Sequence, residues 1–215
     1  MRKTTIFDLD GTLLDVSDRY YSVFNTFWNI TSLSKEMYWS FKRKLRDDRL
    51  VLDQILGRVS EADYKRYVEY KKFTLEQELF LQLDRPLVDW RRIHHVEGPW
   101  FILTLRRHPE ALFSQLEYLG LSEFGERVVV LSPEGPRTKL TWLCTNVEPD
   151  VYVEVIGDSE TDLFCGERSL SCVYLVNTGL ADPKLLLHCY RSRYGSVSDV
   201  CIVDDVDQYL HIRGV

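Results

Sequence analysis

A continuous apolar segment near the start of the chain ends abruptly in two carboxylates. The segment reads TTIFDLDGTLLD, from Thr4 to Asp15. Its β-branched and aromatic residues predict a strand that is buried on both faces, and Gly11 breaks the pattern directly after the second acid. Asp8 and Asp10 are therefore predicted to lie at the carboxyl end of this strand, which is the edge where open α/β sheets bind ligands.

An all-helical insert, residues 16–97, is predicted to follow this strand. Aromatic and apolar residues recur at helical spacing there, and glycines are few. A second helix is predicted to begin near Ser34. Ser60 and Asp63 resemble a capping box that opens a longer helix reaching about Leu83.

From Trp100 onward, strands and helices alternate. The apolar run FILTLRR predicts a strand, and the helix after it has Pro109 in its first turn and Gly120 as a C-terminal cap. Further elements are predicted as strands at 127–132, 151–157 and 171–179, a helix at 138–145, a small edge strand near 200 and a short helix at 206–210. This alternation predicts an α/β fold with a mainly parallel sheet, built from residues 1–15 and 98–215.

The composition is that of a folded globular protein. The chain has 215 residues, of which 45% are hydrophobic and 28% charged, which suits one large domain or a core with a modest insertion. No apolar run reaches the length that spans a bilayer, and the N-terminus enters a strand within a few residues rather than forming a signal peptide. We therefore expect a cytoplasmic protein. The five cysteines include no CxxC pair, which favours reduced core thiols.

The net charge of −6 is unevenly distributed. Residues 16–97 contain 15 Lys and Arg against 13 Asp and Glu, so this part carries +2 and the remainder −8. The less acidic insert could attract an anionic substrate, or its charges could simply be solvated helix faces.

The pair Asp8 and Asp10 favours a bound cation. Two like charges this close repel, and Mg²⁺ is the natural counterion because it is bound by carboxylates together with phosphate oxygens of a substrate. Turn chemistry, or a fragment of a calcium loop, is the alternative interpretation of Asp-x-Asp-Gly.

Four sites with suitable chemistry follow apolar strands or begin helices: Asp8 with Asp10, Thr104, Lys139, and Asp158 with Asp162. These sites match four sequence motifs, in order: DLDGT, Thr104 in FILTLR, Lys139 in RTKL, and GDSETD. In these motifs the chain resembles the haloacid dehalogenase superfamily of phosphotransferases. The resemblance covers about residues 1–15 and 98–212. It implies a Rossmann-like core with a small helical cap, and the insert matches in position and helical character.

The resemblance also implies a role for each residue. Asp8 would attack phosphorus, and Asp10 would protonate the leaving alkoxide and later activate water. Magnesium would be held by the carboxylates of Asp8 and Asp158 and by the backbone carbonyl of Asp10, with Asp162 orienting its water ligands. Thr104 would donate a hydrogen bond to the phosphoryl group, and Lys139 would place a positive charge beside it.

Two points depart from the family or stay open. Thr104 is followed by Leu105-Arg106-Arg107 rather than by a small or polar residue, which leaves the second donor of the phosphate loop unassigned. Arg137 competes with Lys139 for the third role, although a compact ammonium on a flexible stem suits it better.

The function implied is a magnesium-dependent phosphatase that acts on a small phosphorylated metabolite through an aspartyl phosphate. The insert resembles the caps of the phosphoglycolate phosphatase and β-phosphoglucomutase groups, which close over small substrates. Nucleic-acid and membrane partners are not expected, and the sequence does not decide the oligomeric state. A phosphomutase and a non-catalytic binding or regulatory domain are the alternatives. A phosphonate hydrolase would need a Schiff-base lysine in the insert, for which the available residues are Lys42, Lys44, Lys65, Lys71 and Lys72.

Overall fold

The computed structural model describes residues 2–45, 47–197 and 199–215. Six strands form one sheet in the order β5-β4-β1-β6-β7-β8, and every neighbouring pair is parallel. The strands of this sheet are β1 (Lys3–Phe7), β4 (Trp100–Leu105), β5 (Val128–Leu131), β6 (Tyr152–Gly157), β7 (Ser171–Val176) and β8 (Val200–Val203). The predicted α/β fold with a parallel sheet is confirmed, and the last strand is the edge strand that the sequence predicted.

Helices flank the sheet after each strand from β4 onward. These helices are α6 (Pro109–Tyr118), α7 (Thr138–Asn146), α8 (Glu160–Cys165), α9 (Pro183–Tyr194) and α10 (Val206–Ile212). Pro109 occupies the first turn of α6 and Gly120 follows its end with φ +71°, as the sequence predicted. Helix α9 is not among the predicted elements, although Asp182 caps it by accepting from the Lys184 and Leu185 amides.

Among the described residues, five α-helices lie between β1 and β4 along the chain. They are α1 (Ser17–Trp28), α2 (Lys35–Leu45), α3 (Asp48–Leu56), α4 (Glu61–Thr74) and α5 (Glu78–Leu81). Ser60 caps α4 by accepting from the Asp63 amide, as predicted. The longer predicted helix is interrupted at Thr74, however, and α5 is a separate short helix.

A short antiparallel ribbon connects these five helices to the sheet. Strand β2 (Leu14–Asp15) leads out to α1, and β3 (Arg85–Pro86) leads back from α5. The helices have their own buried cluster around Phe24, Tyr38 and Tyr67.

The segment after β3 packs into the core of the sheet. Its 3₁₀ helix, Trp90–His95, buries Trp90 and Ile93 in the same cluster as Phe7 and Trp100. No described helix is long and apolar enough to cross a membrane.

The interpretation of all five cysteines as core thiols is right for two and wrong for three. Cys165 and Cys172 are buried, but Cys144, Cys189 and Cys201 are exposed because they lie on the outer faces of α7 and α9 and on the edge strand β8.

Candidate active site

Asp8 directly follows the central strand β1. Its amide donates to the carbonyl of Ile156 at 2.8 Å, which fixes the start of the loop against β6. The Asp8 residue is only 7% exposed. Its carboxylate therefore sits at the carboxyl edge of the sheet, where the sequence predicted it.

Lys139 reaches this carboxylate from the first turn of α7. Its Nζ atom lies 2.6 Å from Asp8 Oδ1 and 2.7 Å from Asp162 Oδ1, and the residue is 2% exposed. Burial lowers the pKa of Lys139, but the charges of Asp162 and Asp8 outweigh it and hold the pKa above its ordinary value. The side chain is therefore a fixed positive charge between two carboxylates.

Arg137, the alternative to Lys139, lies elsewhere. Its Nη2 atom donates to Glu167 Oε1 at 3.0 Å, and its guanidinium lies 4.8 Å from the ring centroid of Phe164. The structure therefore brings Lys139, and not Arg137, to the carboxylate of Asp8.

The fourth motif, GDSETD at the end of β6, supplies two more carboxylates. Asp158 follows β6, and its Oδ2 atom accepts from the Leu180 amide at 2.7 Å. Asp162 lies in the first turn of α8, where its Oδ2 atom accepts from the backbone amide of Ser159 at 3.0 Å. This capping arrangement orients the other oxygen of Asp162 toward Lys139.

The carboxylates of Asp8, Asp158 and Asp162 form a cluster suited to a hard cation. One oxygen from each lies within 4.8 Å of the others, and all three residues are buried. Among the described residues, Asp158 Oδ1 has no hydrogen-bond partner. Buried oxygens of this kind are the ligands that Mg²⁺ prefers, so the donor set fits the ion implied by the sequence.

Glycines make room for the Asp158 carboxylate. A Cβ atom on Gly179 would lie 1.9 Å from Asp158 Oδ2, and one on Gly11 would lie 2.5 Å from it. Gly11 also has φ +82°, which side chains rarely adopt. The loops after β1 and β7 thus approach this carboxylate closely because they carry no side chain there.

Burial and neighbouring acids change the titration of Asp8 and Asp158. Burial raises the pKa of Asp8 well above its ordinary value, with Lys139 opposing and the neighbouring carboxylates adding to the rise. Burial, reinforced by the charge of Asp162, raises the pKa of Asp158 to about 7. Asp8 and Asp158 therefore need positive charge nearby to be fully ionised.

Thr104 lies near the end of β4, the strand beside β1. Ile102 pairs with Phe7 in the neighbouring parallel strand. Thr104 comes after Ile102 and Asp8 comes after Phe7, so both residues lie toward the same edge of the sheet. The residue is almost completely buried.

Asp10 has partners that the sequence analysis did not predict. Its Oδ1 atom accepts from Arg19 Nη2 at 2.7 Å and from Arg106 Nη2 at 2.6 Å. Burial raises the pKa of Asp10, but the charges of Arg106 and Arg19 outweigh it, so the pKa lies below its ordinary value. The carboxylate is therefore ionised in this structure.

The two arginines belong to a closed polar ring with Asp10, Asp84 and Gln115. Arg106 Nη2 also donates to Gln115 Oε1 at 3.3 Å, and Gln115 Nε2 donates to Asp84 Oδ2 at 2.7 Å. Arg19 Nε lies 3.2 Å from Asp84 Oδ1, which closes the ring. The unusual Leu105-Arg106-Arg107 sequence after Thr104 was the signal for Arg106, whereas Arg19 and Asp84 carry no local signal.

Contacts join the helical segment 17–84 to the sheet near this site. The carboxylate of Glu76 accepts from the amides of Arg107 and His108 at 3.0 and 2.9 Å. Arg43 Nη2 donates to Asn177 Oδ1 at 2.5 Å. The helices thus contact the loops that follow β4 and β7.

The lysines considered for a Schiff base fall into two groups. Lys42 Nζ and Lys71 Nζ lie 2.6 and 2.5 Å from the two oxygens of Asp48, which also accepts from the Tyr67 hydroxyl at 2.8 Å. Burial, with the charge of Lys71, lowers the pKa of Lys42. The remaining three, Lys44, Lys65 and Lys72, are exposed.

Solved structures share this fold at low sequence identity. A haloacid dehalogenase-like hydrolase from Streptococcus pneumoniae superimposes with a TM-score of 0.68 at 15% identity, covering 98% of each chain. A protein described as a putative phosphoglycolate phosphatase from Lactobacillus delbrueckii subsp. bulgaricus gives 0.66 at 18% identity, covering 99% of this chain and 98% of that one. A protein described as a putative β-phosphoglucomutase from Thermotoga maritima gives 0.60 at 21% identity, with the same coverage of 99% and 98%.

No family model and no curated protein matches the sequence significantly. The likeness to solved structures therefore establishes the fold, and it confirms the fold that the sequence resemblance implied.

Proposed function

We propose that this chain, which has the haloacid dehalogenase-like fold, is a magnesium-dependent phosphatase that hydrolyses small phosphate monoesters through a phosphorylated Asp8. The observation that carries the proposal is the convergence of Asp8, Lys139, Asp158 and Asp162 at one sheet edge, with the lysine bridging two of the acids. A buried carboxylate beside a fixed ammonium is a suitable acceptor for a phosphoryl group.

Residues for the metal are proposed from the same cluster. The carboxylates of Asp8 and Asp158 and the backbone carbonyl of Asp10 would hold Mg²⁺, and Asp162 would orient its water ligands. When bound, the ion neutralises negative charge on the acids and the phosphoryl oxygens. Asp158 Oδ1, which has no partner among the described residues, supports this assignment.

In the first step an oxygen of Asp8 would form a bond to phosphorus while the ester P–O bond breaks. Asp10 would have to take up a proton from solvent first, against the influence of its two arginines, and would then give that proton to the departing alkoxide. Thr104 and Lys139 would hold the phosphoryl oxygens by a hydrogen bond and a positive charge. The product of this step is an alcohol and an aspartyl phosphate.

In the second step water would attack phosphorus and the bond to Asp8 would break. Asp10 would now accept the proton of the water, which requires its ionised form. The two arginines on Asp10 favour that form. Inorganic phosphate leaves and the Asp8 carboxylate is restored.

We further propose that the insert predicted at residues 16–97, through its helices α1 to α5, acts as a cap that closes over a small phosphorylated metabolite. Burial of Asp8 and Lys139 and the contact of Glu76 with the loop after β4 support a closed arrangement. Closure excludes water from the reacting groups. A location in the cytoplasm remains a prediction from the sequence.

A phosphomutase is the second candidate, since the neighbour from Thermotoga maritima is described as a putative β-phosphoglucomutase. It would use the same phosphorylated Asp8 but return the phosphoryl group to a sugar. An isomeric sugar phosphate, formed with no free phosphate, would favour the mutase.

The test is phosphate release from a panel of phosphorylated sugars, phosphoglycolate and nucleotides, with Mg²⁺ and with a chelator. We expect turnover with Mg²⁺ only, and an Asp8→Asn variant should lose about 10⁴-fold or more of it while remaining folded. The exposed Asp204 supplies the matched control, so Asp204→Asn should retain activity. Metal-independent release, or equal activity of Asp8→Asn, would refute the proposal.

A further inference from the structure

The guanidinium of Arg106 has donors that the described residues leave unused. Its Nη2 atom serves both Asp10 and Gln115. Its Nε and Nη1 atoms are shielded and have no hydrogen-bond partner among the described residues, and the residue is 3% exposed. Buried donors without partners are unfavourable, so an arginine placed in this way is suited to an acceptor that arrives with a ligand.

These donors lie beside the leaving-group acid of the proposed reaction. The guanidinium is planar and rigid, so Nε and Nη1 are held close to the Nη2 atom that contacts Asp10 at 2.6 Å. The backbone of Arg106 is fixed too, because its amide donates to the Leu131 carbonyl at 3.1 Å. The free donors therefore lie close to the carboxylate of Asp10, the acid that would serve the leaving alcohol.

The charge balance around these donors favours an anion. Arg19 and Arg106 bind the same oxygen of Asp10, and Asp84 is the other acid of the ring. Burial raises the pKa of Asp84 to about 7, so this acid is only partly ionised near neutral pH. Two permanent positive charges thus face little more than one negative charge.

We propose that Arg106 determines substrate specificity by binding an anionic oxygen group, a carboxylate or a second phosphate, on the alcohol part of the substrate. This inference rests on the proposed phosphatase function. Preferred substrates are then phosphate esters of small hydroxy acids or bisphosphates rather than monophosphates of neutral sugars. Arginine suits this role because it stays charged and its remaining Nε and Nη1 donors can each bond to a carboxylate or phosphate oxygen.

Matched substrate pairs test the proposal. One pair compares 2-phosphoglycerate with glycerol 2-phosphate for the carboxylate, and the other compares glucose 1,6-bisphosphate with glucose 1-phosphate for the second phosphate. We expect kcat/KM to be about 10- to 100-fold higher for the anionic member of at least one pair. The pair that shows the preference identifies which anion is bound.

Variants at Arg106 separate recognition of the second anion from a general effect on the site. In Arg106→Gln the preference for the anionic member of the pair should disappear. If the variant only lost the contact with Asp10, kcat/KM would instead fall equally for both members of the pair. Arg106→Lys keeps a positive charge beside Asp10 and serves if the first variant does not fold. It should lose most of the preference because an ammonium lacks the Nε and Nη1 donors. The neighbouring Arg107 is exposed, so Arg107→Gln should keep the preference.

Two results would overturn the inference while leaving the proposed function intact. One is phosphate release with equal kcat/KM for both members of each pair, and the other is a uniform loss across each pair in the Arg106 variants. Absence of phosphate release from every compound would instead refute the proposed function, and the inference with it.

Discussion

The Nζ atom of Lys139 lies 2.6 Å from Oδ1 of Asp8, and both residues are buried. This contact joins the first turn of α7 to the loop after β1. It places the ammonium of Lys139 directly on the proposed nucleophile, so we expect the acidic cluster to depend on Lys139 both for stability and for chemistry.

Lys139→Met should therefore damage both properties. Removal of the ammonium leaves buried carboxylates without their partner, and we expect the free energy of unfolding without added metal to fall by about 3–5 kcal/mol. Phosphate release should fall by about 100-fold or more. Denaturant unfolding and steady-state kinetics measure the two effects. Arg137→Met is the control, and equal losses in both variants would contradict the assignment of Lys139.

Gly179 should be essential for the geometry of Asp158. A Cβ atom there would lie 1.9 Å from Asp158 Oδ2, so Gly179→Ala must displace the carboxylate. We expect Mg²⁺ affinity, measured by calorimetry, to fall by about 10- to 100-fold, as for other changes that misorient a ligand. Gly135→Ala meets no atom within 4 Å and should bind Mg²⁺ normally. Unchanged affinity in Gly179→Ala would remove Asp158 from the proposed metal site.

Asp84 should make the protein less stable as pH rises. Burial raises the pKa of Asp84 to about 7 from an ordinary value of 3.8. Between these pH values Asp84 keeps a proton in the folded chain that it has lost in the unfolded chain. The contribution of Asp84 to the free energy of unfolding therefore falls as pH rises from about 4 to about 7, and it is level outside this range. Asp84→Asn lacks this titration.

The difference in unfolding free energy, Asp84→Asn minus wild type, should thus move in favour of the variant from about pH 5 to about pH 8. Denaturant unfolding at each pH gives this difference. The same measurement on Asp89→Asn is the control, because Asp89 is exposed and the Arg91 partner lowers its pKa, so its difference should stay level over this range. A level difference for Asp84→Asn as well would show that Asp84 is ionised throughout.

Glu76 should hold the helical segment against the loop after β4. Its carboxylate accepts from the amides of Arg107 and His108, the second of which is the N-cap residue of α6. Glu76→Ala should speed hydrogen exchange at these two amides and cost about 1 kcal/mol, as loss of a helix cap does. Glu78→Ala removes an acid that bonds only to Gln82 among the described residues and should leave both amides protected. Unchanged exchange in Glu76→Ala would mean that this contact is not maintained in solution.

The elements that the sequence predicted well carry local signals. Strand β1 is apolar and ends in Asp8, and α6 has Pro109 at its start and Gly120 after its end. Such signals depend on neighbouring residues alone. The ribbon of β2 and β3 has two residues in each strand, which is too short for a pattern, and it was therefore not predicted.

The acidic cluster could be predicted because each member follows a strand or opens a helix, and parallel strands bring their ends together. The partners of Asp10 could not be predicted in the same way. Arg19 lies within a helix and Asp84 follows another, and neither position announces a long-range ion pair. Only the fold reveals that Arg19 and Arg106 share one carboxylate oxygen.

The polar ring constrains how this architecture can be remodelled. Arg19 and Asp84 lie just inside the ribbon strands β2 and β3, the natural cut points for exchanging the intervening helices with those of another protein. A chimaera cut there would lose both residues and leave Asp10 with Arg106 as its single ion-pair partner from the ring. Successful grafts would have to carry these two residues along, so the helical segment and the charge environment of Asp10 cannot be exchanged independently.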